Sequence, residues 1–500
     1  RLGREMPIRA VFDTPVLSDL AQGLRDLPRA GKPLEKQARP DRPPLSFAQE
    51  RLWFLAEFEG SSSTYNIPLA IRLTGSLEVD ALEAALGDLL MRHEALRTRL
   101  AVADGVVWQD VLPIVEVGGV LQQLSTTEAT LSRDLSHFAE QAFDLSSEIG
   151  FRAALFTQSQ DVHVLVLVVH HTAADGWSMA PLMRDLSQAY AARIAGHAPG
   201  WAPLPVQYVD YALWQRGLLG GVEDGLLAEQ LDWWQGALAD MPSELSLPTD
   251  RARPRIPGYG GGRVPVEISR ELSDGLRQLA REHDATLFMV LQAGLSVLLS
   301  RLGAGEDIPI GTPVAGRREA ALDDLVGMFV NTLVLRTDLS GRPTFSEVIA
   351  RARETALGAQ DHQDVPFERL VEVLSPERAE GRNPLFQVML VLQNNLDGEI
   401  ILPGLTAAPV DFDLARTKFD LTLSLSESSG GMLAGELEYA VDLWDATSVE
   451  TLIVRLLHLL EQVTAAPEAR IETLDVLLPS ERGQVVEVFN DTTVPVPDGT

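Results

Sequence analysis

Residues 162–169 read Val-His-Val-Leu-Val-Leu-Val-Val, an apolar run interrupted only by His163. Without polar alternation, such a strand is expected to be buried on both faces, as inside a sheet. Upstream, LEVDALEAALGDLLMRHEALRTRL predicts an amphipathic helix from about residue 79, with Leu82, Ala85, Leu86, Leu89 and Leu90 on one face. Downstream, ISRELSDGLRQLAREHDATLFMVLQAGLSVLLSRL predicts helix, break, helix, and strand-like runs follow at 308–314 and 386–392. Each half thus supplies helices and ends in a short apolar strand, at 162–169 and 386–392. The pattern predicts two related α/β lobes. No run of about 18 apolar residues is evident, so no membrane-spanning helix is expected.

Two proline-punctuated stretches divide the chain. PRAGKPLEKQARPDRPP at 28–44 reads as an extended linker, because each proline disfavours helix in the residue before it. Ahead of it, IRAVFDTPVLSDLAQGL has helical spacing but is too short for its own core, so 1–27 is expected to be the end of a domain cut from a longer polypeptide. At the other end, LPSERGQVVEVFNDTTVPVPDGT marks a second boundary. The expected organisation is 28–43 as linker, 44–215 and 216–478 as the two lobes, and 479–500 as the opening of a further domain. A length of 500 residues accommodates such a division. The glycines of GYGGG at 258–262 lack the Gly-Lys-Ser/Thr of a phosphate loop and are expected to form a flexible crossing between lobes.

Charge narrows the partners. Against 71 acidic residues stand 41 basic ones, a formal charge of −30. Such a surface repels nucleic acid and anionic membranes, and neither is an expected partner. Zero cysteines exclude a disulfide, a thiolate metal site and a thiol nucleophile within this chain. A cytoplasmic location is expected.

The chemistry concentrates where the apolar strand ends, in His170 and His171, followed by Asp175 and Gly176. Side chains alternate across a strand, so two adjacent histidines cannot both point to one site. That argues against a two-histidine metal centre. One ring is expected to face a pocket and its neighbour to point into structure, with Asp175 across a tight turn that Gly176 accommodates.

The pattern His-His-x-x-x-Asp-Gly after a buried strand resembles the signature of nonribosomal peptide synthetase condensation domains, shared with chloramphenicol acetyltransferase and carnitine acyltransferases. Six further segments match that family's motifs in order: SFAQERLWFL at 46–55, RHEALRTRL at 92–100, YVDYALWQ at 208–215, IGTPVAGR at 310–317, VGMFVNTLVLR at 326–336 and HQDVPFERLVE at 362–372. The flanks agree, 1–24 resembling the end of a peptidyl carrier domain and 479–500 the entry to an adenylation domain.

The resemblance implies a pseudo-dimer of two chloramphenicol acetyltransferase-like α/β lobes in a V, with a tunnel along their interface. It implies an acyltransferase that passes a donor aminoacyl or peptidyl thioester to the α-amine of a carrier-bound acceptor, an L-configured donor being favoured. Phosphopantetheine arms would come from upstream and downstream carriers, none being attached here. The only serine before the linker, Ser18, falls in the last helix of the carrier-like segment. By resemblance His171 faces the tunnel, Gly176 lines the reaction centre, and Asp175 is structural and pairs with Arg317. His170 and Arg97 support the turn, Arg97 as a further charge partner. Trp177, Ser178 and Asn331 are expected along the substrate tunnel, whereas Trp53, Trp214 and Phe329 are expected to pack. Arg92 and His93, near a helix end, are expected to be solvated.

Rival readings share the fold. An epimerisation domain typically continues Asp-Gly-Val-Ser-Trp, whereas Trp177-Ser178 follows here. A heterocyclisation domain would replace the histidines with aspartates, and a non-catalytic recruitment domain would be expected to lose the second histidine. A coenzyme A-dependent acyltransferase is the remaining alternative, and the carrier-like and adenylation-like flanks speak against it.

Overall fold

In the computed structural model, residues 6–24, 32–60, 62–219, 225–256, 258–375, 381–393, 400–412, 416–428 and 430–491 are described. The central apolar run is buried from His163 to His170, and side-chain parity explains how. Leu165, Leu167 and Val169 pack with Leu82, Leu86 and Leu89 of the helix Val79–Arg92 and with Leu182 and Leu186 of the helix Met179–Ile194. Val164, Val166 and Val168 face the other way, onto Leu131, Leu135 and Phe138 of the helix Leu131–Ala139. Each such side chain, fully buried, contributes about 1.5–3 kcal/mol.

In chain order the strands are β1 (Asn66–Gly75), β2 (Thr98–Ala103), β3 (Val106–Val111), β4 (Leu121–Ser125), β5 (Phe151–Ser159), β6 (Val162–His170), β7 (Gly261–Ile268), β8 (Asp307–Val314), β9 (Asn331–Asp338), β10 (Val388–Gln393), β11 (Leu405–Pro409), β12 (Leu421–Glu427) and β13 (Leu433–Ala440). One sheet runs β11-β1-β6-β5-β4 and a second β7-β13-β12-β10-β8-β9, while β2 and β3 form a hairpin. The helices Arg270–Glu282, Leu287–Leu299 and Ala446–Ala465 bury one face of the second sheet. Thr286 caps the second of these with a capping box, which accounts for the helix-break-helix pattern. Two lobes, each a sheet with helices, follow from this layout.

One strand crosses the expected division. Residues 405–409 fall in the span 216–478 assigned to the second lobe, yet β11 pairs antiparallel with β1, Leu405 opposite Gly75 and Pro409 opposite Ile71. β1 would otherwise be an open edge with unpaired backbone groups, and the segment returning from the second lobe covers it. The first sheet is incomplete without the second lobe's chain.

Three expectations change. The linker is extended, but its described part is pinned: Trp214 Nε1 donates to the Lys32 carbonyl at 2.7 Å, Gln37 N to Asp210 at 3.1 Å, and Arg39 Nη1 pairs with Glu94 at 2.7 Å. GYGGG is no flexible crossing. Gly261 and Gly262 open β7 and pair with β13, and the ring of Tyr439 occupies the space where a Cβ of Gly262 would go. Finally, the span Leu287–Ala304 is long and apolar enough to cross a membrane. It is instead a core helix of the second sheet, buried continuously from Met289 to Leu299.

Candidate active site

The paired histidines part company at the end of β6. His170 keeps the parity of Val164, Val166 and Val168, and its ring lies 5.8 Å from that of Phe143. Its Nδ1 accepts the Thr172 N–H at 3.2 Å and lies 2.9 Å from Thr172 Oγ1. Burial first, then the charges of Lys418 and Arg152, push its pKa down to about 3. His170 is a neutral structural group.

His171 lies just past the strand, its N–H donating to the Tyr65 carbonyl at 2.9 Å. The ring is only half-buried by surface but deep within the fold, so it lines interior space between the lobes. Desolvation, followed by Lys418 and His170, lowers its pKa well below the ordinary value, leaving the imidazole neutral at pH 7. Nδ1 stands 3.0 Å from the thioether of Met328. Sulfur there can only accept, so Nδ1 carries the proton and Nε2 holds a free lone pair. Met328 thus favours the tautomer that leaves Nε2 as the acceptor.

Asp175 is completely buried and anchors the turn. It caps the short helix Gly176–Ser178, its Oδ1 accepting from Ser178 N at 2.9 Å and Ser178 Oγ at 2.8 Å. Oδ2 accepts from the backbone N–H of Phe329 at 2.9 Å and Val330 at 3.2 Å. Arg317 Nη2 completes the site, 3.3 Å from Asp175 and 2.9 Å from Ser178 Oγ. The guanidinium also donates to the Leu325 carbonyl at 2.7 Å and stacks 4.3 Å over Phe329.

Two glycines let these parts meet. Gly316, at φ +63°, turns the chain into Arg317 against the Phe329 carbonyl, and Gly327 leaves room for the ring of Tyr208. Tyr208 donates its hydroxyl to the Met328 carbonyl at 2.6 Å.

The other sequence-derived residues divide. Gly176 is exposed and a Cβ there would meet nothing, so open space rather than turn geometry distinguishes it. Trp177 is half-buried beside it. Ser178, expected along the tunnel, is fully buried, and its hydroxyl is engaged by Asp175, Arg317 and Gly327. Asn331 is likewise engaged: Nδ2 donates to the carbonyls of Gln363 and Val365, and Oδ1 accepts the N–H of Phe367 at 3.0 Å. Its amide fixes the entry to the helix Phe367–Leu374.

Arg97 does not join the turn. It ends the 3₁₀ segment Glu94–Arg97, which aims it at the carbonyls of Leu90 and Leu112, at 2.9 and 2.5 Å, with Glu94 at 3.7 Å. Nor are Arg92 and His93 solvated. Arg92 and His93 both bind Asp185, at 2.6 and 3.0 Å, and His93 Nδ1 receives the Val326 N–H at 3.4 Å. Phe329 packs against Tyr208 and Tyr211, and Trp53 packs into the cluster behind β6.

Sequence reasoning missed Met328, Tyr65 and Lys418. Met328 sat inside the motif VGMFVN, where its sulfur offered the only available signal. Among the described residues, no group of three or more His, Asp or Glu is arranged to hold a metal ion.

Comparison with known proteins places this geometry. The Condensation domain family model matches residues 40–486. The probable non-canonical nonribosomal peptide synthetase CymA of Salinispora arenicola is 48% identical over 97% of this chain. A dimodular nonribosomal peptide synthase of Bacillus subtilis is 47% identical over 99%. The chain spans only 6% and 21% of those two proteins. Among solved structures, the X-domain from teicoplanin biosynthesis is 37% identical, with a TM-score of 0.84 over 89% of this chain and all of that one. Holo-AB3403, a four-domain nonribosomal peptide synthetase bound to AMP and glycine, is 26% identical, with a TM-score of 0.79 over 89% of this chain and 35% of that one.

Two stability experiments follow. Asp175→Ala leaves Arg317 and the backbone N–H groups of Ser178, Phe329 and Val330 without their buried acceptor, and should cost about 3–5 kcal/mol. His171→Ala should melt within about 1 kcal/mol of the parent, because its ring borders open space. Equal destabilisation of the two variants would refute this division. The second experiment concerns pH. His170 stays neutral in the fold down to about 3 while the unfolded ring titrates near 6.5. Below 6.5 the unfolded state therefore binds the extra proton, and stability should fall with pH by up to about 1.4 kcal/mol per unit. His170→Asn should flatten that slope in chemical denaturation between pH 6.5 and 4.5.

Proposed function

The chain belongs to the condensation-domain family of nonribosomal peptide synthetases, and on that premise we propose that it forms a peptide bond between two carrier-bound substrates. The donor is an aminoacyl or peptidyl thioester on an upstream carrier, L-configured as the motif wording favours. The acceptor is the α-amine of an aminoacyl thioester on a downstream carrier, both arms being phosphopantetheine. The observation that carries this reading is His171, neutral and opening onto interior space with its Nε2 lone pair free.

The amine nitrogen attacks the thioester carbon, the carbonyl π pair moves to oxygen, and a zwitterionic tetrahedral species forms. Loss of one proton from nitrogen and expulsion of the thiolate complete the amide, and that proton ends on the departing sulfur. About a tenth of an α-amine is already neutral at pH 7, so freeing the nucleophile accounts for only about 1 kcal/mol. Nε2 of His171 is suited to the later step, accepting a hydrogen bond from the cationic nitrogen and relaying its proton. The depressed basicity of the ring favours brief acceptance over storage, and thus a large share for positioning. Asp175, Ser178 and Arg317 act through structure by holding the turn.

Similarity to the teicoplanin X-domain supports a second reading, in which this fold recruits a partner instead of catalysing. Retention of His171 favours catalysis.

Mixing the protein with donor- and acceptor-charged carriers should lengthen the acceptor-bound chain in intact mass spectra. His171→Ala should slow that transfer by about 10²–10⁴-fold. With donor carrier alone, no acyl-enzyme should accumulate, since the chain has no cysteine to hold one. Undiminished transfer by His171→Ala, or a trapped acyl-enzyme, would overturn the mechanism.

A further inference from the structure

Lys418 lies in the bend just before β12, on the return from β11 to the second sheet. Its side chain keeps partial access to interior space although it sits deep in the fold. The Nζ stands 4.8 Å over the ring of Tyr65. Tyr65 is the residue whose carbonyl receives the His171 N–H at 2.9 Å, and its ring lies 6.5 Å from that of His170. The ammonium therefore shares one aromatic residue with both histidines. Among the described residues, no carboxylate forms an ion pair with it. A buried ammonium with no carboxylate in direct contact is costly, and a ring face recovers only about 2 kcal/mol of the lost hydration.

Resting on the condensation reading, we propose that Lys418 is a catalytic residue whose ammonium stabilises the oxyanion of the tetrahedral intermediate formed beside His171. As the amine nitrogen bonds to the thioester carbon, the carbonyl electron pair moves to oxygen, and Nζ donates a hydrogen bond to it. When the carbonyl re-forms and the carbon–sulfur bond breaks, the hydrogen bond relaxes with no net proton transfer to or from the lysine. His171 serves the nitrogen and Lys418 the oxygen, so the two charges of the zwitterion meet separate partners. Preorganised oxyanion donors of this kind are worth about 10²–10³-fold in rate.

Protonation gives this arrangement a signature. Desolvation lowers the Lys418 pKa to about 8, Arg51 adding to the shift and Glu438 opposing it. The groups facing it are His170 and His171 at the end of β6, Arg51 of the helix Phe47–Glu59 with its partner Glu368, Glu438 of β13, and Tyr65. Both histidines are already neutral, and Glu438, itself raised by desolvation, is the acid that opposes the lysine. Above about pH 8 the ammonium is lost and the rate should fall, while deprotonation of the acceptor amine raises the rate from below.

The test is single-turnover transfer by the parent, Lys418→Met and Lys418→Arg, from pH 6.5 to 9.5. Carriers are charged from a mixture of the twenty aminoacyl-coenzyme A thioesters, and dipeptidyl carrier is counted by mass spectrometry. The parent should show a bell centred near pH 8. Lys418→Met should be about 10²–10³-fold slower while melting no lower than the parent. Lys418→Arg should stay within about tenfold of the parent and lose the alkaline fall, because guanidinium does not titrate there. A Lys418→Met rate within threefold of the parent, or an alkaline limb retained in Lys418→Arg, would overturn the assignment. If Lys418→Met does not fold, the arginine profile decides alone. No dipeptide from the parent would overturn the condensation reading and this inference with it, whereas parental product with an unaffected methionine variant overturns this inference only.

Discussion

The buried carboxylate of Asp175 is the joint on which the site depends. It belongs to the turn after β6, yet its oxygens accept the N–H groups of Phe329 and Val330 and the guanidinium of Arg317, all from the second lobe. An ionised group cannot stay in such surroundings unless its lone pairs are satisfied, and here backbone donors and Arg317 satisfy them. Because those donors come from across the interface, moving one lobe against the other would strand a buried charge. The same bonds fix residues 326–330, and thereby set the Met328 sulfur against His171.

Further ties reinforce that joint. His93 receives the Val326 N–H, Ser178 Oγ engages Gly327, and Tyr208 holds the Met328 carbonyl, so successive backbone groups of one loop are gripped by first-lobe side chains. At the edge of the first sheet, β11 carries the second lobe's chain onto β1. The two attachments lie on different elements. Apolar packing joins the same surfaces, Tyr208 and Tyr211 lying with Leu322, Leu325 and Phe329 in one buried cluster.

The electrostatics inside that space run opposite to the surface. A chain of net charge −30 places Lys418 and Arg51 near two histidines that burial keeps neutral. Low polarisability makes each interior charge count for more than one at the surface. Net charge therefore informs on partners such as nucleic acid and is silent about the reaction centre.

Local pattern was enough for the strand at 162–170, the helix from 79 and the helix pair around Thr286, because burial on one or two faces imposes its period on the residues. Strand parity also established that the two histidines must diverge, and the ordered motifs pointed to the arginine that meets Asp175. Parity could not say what lies beyond the strand end. Arg97 and Arg317 are both arginines within motifs, and only the fold shows one capping carbonyls of its own lobe while the other crosses to the turn. Ser178 and Asn331 looked like substrate contacts because their side chains are polar, and tertiary packing uses up their hydrogen bonds. Met328, Tyr65 and Lys418 gather near the two histidines from segments remote from one another along the chain, Lys418 lying beyond the crossing of β11. The sequence alone determined the family, the lobes' main elements and the divergence of the two histidines, since these rest on periodicity and contiguous motifs. The tautomer of His171 and the lone ammonium beside it were decided by tertiary structure, because each arises from contacts between segments that no local pattern links.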